Sequence, residues 1–304
     1  MIIRASFAAS FGASFAASFA AALVACSAPA APVHPQAAQA PLSLAADARM
    51  ITIPAGMFIA GSTPEERAQA YDDYQHTADN DGAREHHWFD REEDRHQVSL
   101  AEYRIDLFPV TQAQFAEFVQ ATGAGAPAID EAAWKAQGFA QDFATEVARF
   151  VWSDGRPPAG REDHPVVLVT WTEADAYCKW RGELAGHARR LPTAHEFEKA
   201  ARGDKGVIYP WGNSFEPTKL NCAIGGPRDT MPVGSHLEGK SPYGVVGMAG
   251  NVFQWTSTPF PPDEMTVKGS AWEDFAGVGR GASAHGRARS ARHVIVGFRC
   301  AAGP

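Results

Sequence analysis

Histidine and carboxylate side chains are concentrated in one strongly polar stretch, residues 63–97. Imidazole nitrogens and carboxylate oxygens are ligands for divalent metals such as zinc. The histidines are His76, His86, His87 and His96, and the carboxylates include Glu92, Glu93 and Asp94. No regular helical or CxxC-like spacing orders them, so the sequence favours a solvated insertion over a metal site.

Four arginines follow one another closely near the C-terminus: Arg280, Arg287, Arg289 and Arg292. A guanidinium group binds carboxylates through two parallel hydrogen bonds. These arginines could therefore bind an acidic partner, or they could form ion pairs with carboxylates of the same domain. The second interpretation is favoured.

Cysteine usage indicates an oxidising compartment. Besides Cys26, the chain has Cys178, Cys222 and Cys300. A periplasmic location permits one disulfide among these three, which leaves one thiol unpaired.

Cys26 itself ends a segment typical of exported proteins. Arg4 precedes an apolar run, residues 5–25, as in a secretory signal. The run ends in Leu23-Val24-Ala25-Cys26, which resembles the lipobox of bacterial lipoprotein precursors, where cleavage before the cysteine is followed by acylation of its thiol. An uncleaved membrane helix is the alternative, since about twenty apolar residues span a bilayer. The Ser and Gly content favours the lipoprotein, and Ser27 favours the outer membrane.

The remaining chain divides into a tether and one domain. Residues 26–47 are Ala, Pro, Gln and Ser with almost no large apolar side chain, which is typical of a flexible linker. Residues 48–304 are enough for one large domain. The formal charge of −8 becomes −9 when Arg4 is removed with the signal. Such an acidic chain is not expected to bind nucleic acid.

The pattern of elements predicts an α+β domain with helices early and irregular β structure late. Strands are expected at residues 50–54, 57–61, 98–108 and 166–169. Thr111 is expected to cap a helix through Val119, and Thr170 or Thr172 a second one. Thr193 with Glu196 forms the capping box of a third helix.

A series of short motifs extends from about residue 50 to the C-terminus. The motifs are Phe108-Pro109-Val110-Thr111, His164-Pro165-Val166-Val167, Arg190-Leu191-Pro192-Thr193, Ala200-Ala201-Arg202-Gly203, Tyr209-Pro210-Trp211-Gly212-Asn213, Met248-Ala249-Gly250-Asn251, Lys268-Gly269-Ser270-Ala271-Trp272 and Gly297-Phe298-Arg299-Cys300. Each motif alone is weak, but their joint order is specific and resembles that of the formylglycine-generating enzyme (sulfatase-modifying factor) family. The resemblance implies a single irregular α+β domain related to C-type lectin folds, with a disulfide between Cys178 and Cys300.

The residues that would hold copper in this family are missing. Copper-dependent members oxidise a substrate cysteine with two cysteines that bind Cu(I), an ion that prefers soft thiolates. The first of these positions aligns at or near Asp274 and the second near Gly279. Copper-type oxidase activity is therefore not expected.

Calcium ligands of the family are also altered. A glutamate ligand is replaced by Gln254, and a second side-chain ligand falls at Gly247. Calcium selects clustered oxygen ligands, carboxylates above all. A different calcium site, near Asn221 and Asp229, is the one cofactor site that the sequence still allows.

Two functions are compatible with these features. The favoured one is a protein-binding lipoprotein whose enzyme-like domain is catalytically inactive. It would act as an immunity protein against a lipase or phospholipase toxin delivered by type VI secretion. The alternative is a periplasmic oxidase or siderophore-maturation factor with a different centre. In that case Trp272, Glu273 and Asp274 would line the pocket, with a carboxylate as general base.

Overall fold

The computed structural model describes residues 49–304. The predicted signal segment, the acylated Cys26 and the tether lie outside the described residues. Within residues 49–304, no helix is both long and apolar enough to cross a bilayer.

Within residues 49–304, ten short strands and six α-helices alternate with long loops. The strands are β1 (Met50–Ile53), β2 (Gly56–Ala60), β3 (His96–Leu100), β4 (Tyr103–Asp106), β5 (Arg189–Arg190), β6 (Phe253–Phe260), β7 (Glu264–Lys268), β8 (Ala284–Ala288), β9 (Val296–Gly297) and β10 (Ala301–Ala302). The helices are α1 (Pro64–Ala78), α2 (Gly82–Glu85), α3 (Gln112–Thr122), α4 (Glu131–Ala136), α5 (Trp171–Ala185) and α6 (Ala194–Arg202). This is the predicted α+β class.

Three sheets organise the domain. The first has the order β1-β4-β10-β5, so it joins both ends of the domain. The second is the antiparallel pair of β2 and β3, which are separated in sequence by α1 and α2. The third has the order β8-β7-β6-β9 and leaves β8 at an edge.

Threonine N-caps begin four of the helices. Thr111, Thr170 and Thr193 each accept a hydrogen bond from the backbone N–H three residues on. In each case the residue at that position returns a side-chain bond to the threonine backbone, which completes a capping box. Thr63 does the same for α1. The predicted helix starts at Thr111 and Thr193 are confirmed, and of the two candidates for α5 the cap is Thr170.

The interpretation of residues 63–97 as a solvated insertion was wrong. Helix α1 packs Tyr71 and Tyr74 into the core, and the following loop buries Phe89 completely. The buried residues are few and widely spaced in a mostly charged sequence, which hid the amphipathic stripe.

The predicted strand at residues 166–169 was also wrong. These four residues are almost fully buried, but no strand forms there. Leu168 has a φ of 60°, which interrupts an extended ladder. A short apolar run predicts burial more reliably than it predicts a strand.

The structure contains the disulfide between Cys178 in α5 and Cys300 before β10. Both cysteines are fully buried in the main core, together with aromatic residues of α3 and α5. Cys222 is the free thiol among the described residues.

Candidate functional site

A cleft of about 660 Å³ opens beside the segment that follows the Lys268-Gly269-Ser270-Ala271-Trp272 motif. The turn at residues 86–91 and the loop at 138–141 form one part of its wall. Strand β8 forms another. Apolar side chains of Phe253, Val278 and Ile295 contribute to the lining. The polar groups from the C-terminal half are Glu273, Asp274, His285, Arg287 and His293.

Asp274 is the titratable group most suited to proton transfer in this cleft. Its Oδ2 accepts a hydrogen bond of 2.6 Å from the Ala271 backbone N–H. Enclosure by protein atoms, opposed by that hydrogen bond, raises the pKa of Asp274 to about 7. A carboxyl with a pKa near neutrality exchanges protons readily at neutral pH.

Glu273 is the second carboxyl of the cleft. Its two oxygens accept hydrogen bonds of 2.9 and 3.1 Å from Gln141 Nε2. Burial raises the pKa of Glu273, and the hydrogen bond from Gln141 opposes that rise. The two adjacent carboxyls repel each other when both are charged, which further favours protonation of Asp274.

Two neutral histidines face the carboxyls. His285 lies against the rings of Trp88 and Phe253, and His293 lies 4.1 Å from the Phe139 ring centroid. Burial, reinforced by the charge of Arg287, lowers the pKa of each histidine to about 3. Neither histidine was singled out from the sequence, because no motif or spacing connects them with the acidic pair.

Two buried N–H groups at the site lack a hydrogen-bond acceptor among the described residues. The Nε of Arg287 and the Nε1 of Trp272 are buried and have no hydrogen-bond partner among the described residues. Buried donors of this kind are usually satisfied by water or a ligand. Both side chains therefore have capacity to bind an additional acceptor group.

Strand β8 presents its edge to the cleft. Four consecutive residues, 284–287, line the cleft, although neighbouring side chains of a strand point to opposite faces. A cleft that contacts all four residues must therefore lie along the edge of the strand. β8 pairs with β7 on one side, and no described strand pairs with it on the other.

A second opening of about 430 Å³ lies on the other side of the same segment. Trp272, Glu273 and Asp274 line it together with Arg149 and Arg228. Arg149 lies 5.7 Å from the Trp272 ring centroid. Of the three residues that the sequence proposed for a pocket, Glu273 and Asp274 line both openings, and Trp272 lines only the second.

The residues present do not fit a Cu(I) site of the two-thiolate type. Residues 270–279, where the family resemblance would place the copper cysteines, contain no cysteine. The free thiol of Cys222 is 1% exposed and contacts the Ile224 carbonyl oxygen at 3.7 Å. Burial raises the pKa of Cys222, which disfavours the thiolate that copper requires.

The first calcium position does not fit either. Gln254 donates from Nε2 to the Gly247 carbonyl oxygen at 2.8 Å, and its Oε1 accepts from Arg299 Nε at 2.5 Å. Arg299 also donates to the Val246 and Gly247 carbonyl oxygens. The cationic guanidinium group of Arg299 is therefore hydrogen-bonded to the oxygens that a calcium ion would need as ligands.

The second calcium position, near Asn221 and Asp229, is disfavoured by charge. Both carboxylate oxygens of Asp229 accept hydrogen bonds from Arg161, at 2.8 and 2.5 Å, and Arg149 lies at 3.7 Å. Asn221 Oδ1 is buried without a donor, but its Nδ2 is bonded to the Asp229 carbonyl oxygen. Two guanidinium groups beside the one carboxylate oppose a divalent cation.

The four C-terminal arginines do not form one binding surface. Arg280 is buried and forms a bidentate ion pair with Glu92, and Arg292 pairs with Glu173 at 2.6 Å. For these two arginines the favoured interpretation, pairing with the fold's own carboxylates, is confirmed, so their charges are already neutralised. Arg289 covers the ring of Trp171, and Arg287 alone lines the cleft.

Comparison with known proteins assigns the family. Residues 36–303 match the model of the sulfatase-modifying factor enzyme 1-like domain. The chain is 31% identical to the inactive C-alpha-formylglycine-generating enzyme 2 of Mus musculus, over 86% of this chain and 87% of that protein. It is 29% identical to the formylglycine-generating enzyme of Bos taurus, over 74% of this chain and 60% of that protein.

Hercynine oxygenase of Mycolicibacterium smegmatis is 36% identical over 60% of this chain and 43% of its own length. Among solved structures, PvdO of Pseudomonas aeruginosa has the same fold, with a TM-score of 0.62, 21% identity and coverage of 84% of this chain and 94% of PvdO. The chain belongs to the sulfatase-modifying factor enzyme 1-like family.

Proposed function

We propose that this chain is a catalytically disarmed family member that acts as a protein-binding module in the cell envelope. The observation that carries the proposal is a cleft of about 660 Å³ lined by Asp274, which belongs to a segment, residues 270–279, without a cysteine. The cleft remains available for a ligand although the donor set for copper is lost. The similarity to a relative described as inactive supports the same view.

The exposed edge of β8 favours an extended protein segment as the ligand. An added strand makes main-chain hydrogen bonds with a free sheet edge, and pockets beside the edge select its side chains. Glu273, Asp274 and Arg287 add side-chain hydrogen-bonding groups along that path. A polypeptide, with its regular donors and acceptors, suits this surface better than an apolar ligand.

The partner class that we propose is a secreted lipase or phospholipase toxin of a type VI system, so that this protein acts as its immunity protein. A lipid anchor at Cys26 would hold the domain on the periplasmic side of the outer membrane, where such toxins act. The proposal predicts that a lipase or phospholipase toxin gene lies beside this gene, and the test uses that toxin. Deletion of this gene is expected to make the cell sensitive to the toxin, and the wild-type full chain is expected to restore protection.

The role of the cleft is tested by a matched pair of substitutions. Ala140→Trp places a bulky ring on the exposed rim of the cleft, whereas Ala136→Trp places the same ring on the exposed surface of α4. Ala140→Trp is expected to weaken toxin binding by about tenfold or more, since loss of a central contact costs more than ~1 kcal/mol. Equal protection by both variants would contradict the proposed binding site.

A second candidate function is copper-independent proton-transfer chemistry in the same cleft, of the kind a maturation enzyme needs. The pKa of Asp274, about 7, favours it. The expected result is that Asp274→Asn fails to restore the product lost in a deletion strain, while the exposed Asp263→Asn restores it. If Asp274→Asn restores the product fully, the residue is not catalytic. If this variant also protects the cell from the toxin, only the binding function is supported.

A further inference from the structure

Three side chains from distant parts of the sequence converge on the surface outside the cleft. Glu93 and His96 lie just before and at the start of β3, and His195 lies in the first turn of α6. One ligand atom from each lies within 4.8 Å of the other two. Within residues 49–304, this is the one place where three such groups approach so closely.

The distances suit a small metal ion. Glu93 Oε2 lies 2.9 Å from His195 Nε2 and 3.6 Å from His96 Nε2. Two ligands of a tetrahedral zinc ion are about 3.3 Å apart when each metal bond is about 2.0–2.1 Å. The two measured distances lie on either side of that value, so an ion enters with small side-chain movements.

The hydrogen bond of His96 fixes which of its nitrogens can bind. His96 Nδ1 lies 2.7 Å from the Asp94 carbonyl oxygen, which can only accept, so Nδ1 carries the proton. In neutral His96 the lone pair on Nε2 then faces the carboxylate of Glu93, which is repulsive without a cation between them. Metal-ligating histidines are usually oriented by such a bond from the other ring nitrogen.

Both sides of the cluster are held by the fold. The backbone carbonyl of Glu93 accepts a hydrogen bond from the Ser62 N–H at 3.0 Å. A Cβ at Gly61 would lie only 2.4 Å from that same oxygen, so the two segments pack closely. His195 follows Thr193, whose capping box fixes the start of α6. The ligands therefore sit on positioned backbone, which lowers the entropic cost of binding.

We propose that Glu93, His96 and His195 form a binding site for a divalent transition-metal ion of the zinc class. Two imidazoles and one carboxylate are a ligand set that zinc accepts, and three protein ligands leave a fourth position for water or an exogenous group. The side chains are 56%, 45% and 32% exposed, respectively, so the open position faces solvent. The site is separate from the cleft and does not depend on the function proposed for it.

The test is zinc binding by the full chain, purified in detergent and freed of metal with a chelator. Calorimetry at neutral pH is expected to show one zinc ion per chain. Cobalt, bound in place of zinc, is expected to give the visible absorption of a site with nitrogen and oxygen ligands. His96→Ala and His195→Ala are each expected to lower zinc affinity by at least about tenfold, since even outer-shell changes cost ~10–100-fold.

A histidine outside the cluster provides the control. His76 is exposed on α1, and His76→Ala is expected to leave zinc affinity and the cobalt spectrum unchanged. The proposal is overturned if the wild-type chain binds no stoichiometric zinc, which would mean that the three groups form an ion pair only. It is equally overturned if zinc binding survives in the His96→Ala/His195→Ala double variant.

Discussion

At the scale of single residues, the raised pKa of Asp274 implies that this carboxyl lowers the folding stability at neutral pH. A carboxyl whose pKa is raised in the folded state binds its proton more tightly there than in the unfolded chain. Folding stability therefore falls as the pH rises from the ordinary aspartate pKa of 3.8 to the folded value of about 7, and it stays constant above that. Residues retained under such a penalty are commonly functional.

Asp274→Asn is expected to stabilise the protein in a pH-dependent manner. The amide oxygen can still accept the hydrogen bond from the Ala271 N–H, but the penalty for a buried charge disappears. The gain in free energy of unfolding is expected to be close to zero near pH 4 and on the order of 2 kcal/mol above pH 7. Urea unfolding between pH 4 and pH 8 measures it. The exposed Asp263→Asn serves as control, and a gain that is the same at both ends of this range would contradict the assignment.

At the residue level, the sequence could locate candidate pocket residues only where a motif was present. Trp272 ends the Lys268-Gly269-Ser270-Ala271-Trp272 motif and Glu273 and Asp274 follow it directly, so their closeness in the structure could be inferred. The partner of Arg280 could not, because Glu92 lies 188 residues away. Likewise, His96 and His195 meet only through the packing of the β2–β3 strand pair near α6, and their separation along the chain gives no indication of it.

At the scale of elements, capping signals located the starts of α3, α5 and α6, and the strands expected at residues 50–54 and 57–61 are confirmed as β1 and β2, whereas the strand expected at 98–108 is divided into β3 and β4. The capping boxes at Thr111, Thr170 and Thr193 involve residues three positions apart, so the sequence contains the whole interaction. The strands are short, several with only two residues, and their pairing is decided by distant segments. Residues 166–169 illustrate this, since their burial was evident and their conformation was not.

Helix α6 is joined to two sheets by one buried carboxylate. Glu198 accepts hydrogen bonds from the Gly61 N–H, from Arg202 Nη1 and from Lys268 Nζ, at 2.8, 2.7 and 2.9 Å. Glu198, Arg202 and Lys268 are all nearly inaccessible to solvent. Removal of the carboxylate would leave two buried cations without their counter-charge.

Glu198→Ala is therefore expected to lower the free energy of unfolding by about 3–5 kcal/mol, the usual cost of breaking a buried ion pair from one side. Glu198→Gln keeps an acceptor oxygen and is expected to lose less. Chemical denaturation measures both variants. Glu183→Ala, at an exposed position of α5, is the matched control and is expected to change stability by less than about 0.5 kcal/mol. A loss of similar size in Glu183→Ala and Glu198→Ala would refute the buried network.

At the scale of the whole molecule, the chain ends of the domain are tied together twice. Strand β1 and strand β10 both pair with β4, and the Cys178–Cys300 disulfide attaches the segment before β10 to α5. The segment between the two cysteines contains α6, β6, β7 and β8, and therefore most of the cleft wall. The family resemblance implied this pairing, whereas the cysteine count alone allowed any pair of three.

The double variant Cys178→Ala/Cys300→Ala is the sharpest test of how far that bond stabilises the domain. The cysteines are 122 residues apart, and the loop-entropy model assigns a loop of this length roughly 4–5 kcal/mol. Denaturant unfolding is expected to show a loss of that order, and reduction of the wild-type protein should reproduce it, because both treatments release the same constraint on the unfolded chain. Cys222→Ala removes one buried thiol and no cross-link, so its loss should stay near ~1 kcal/mol. A double variant as stable as Cys222→Ala would mean that the non-covalent core, not the disulfide, holds the cleft-bearing segment in place.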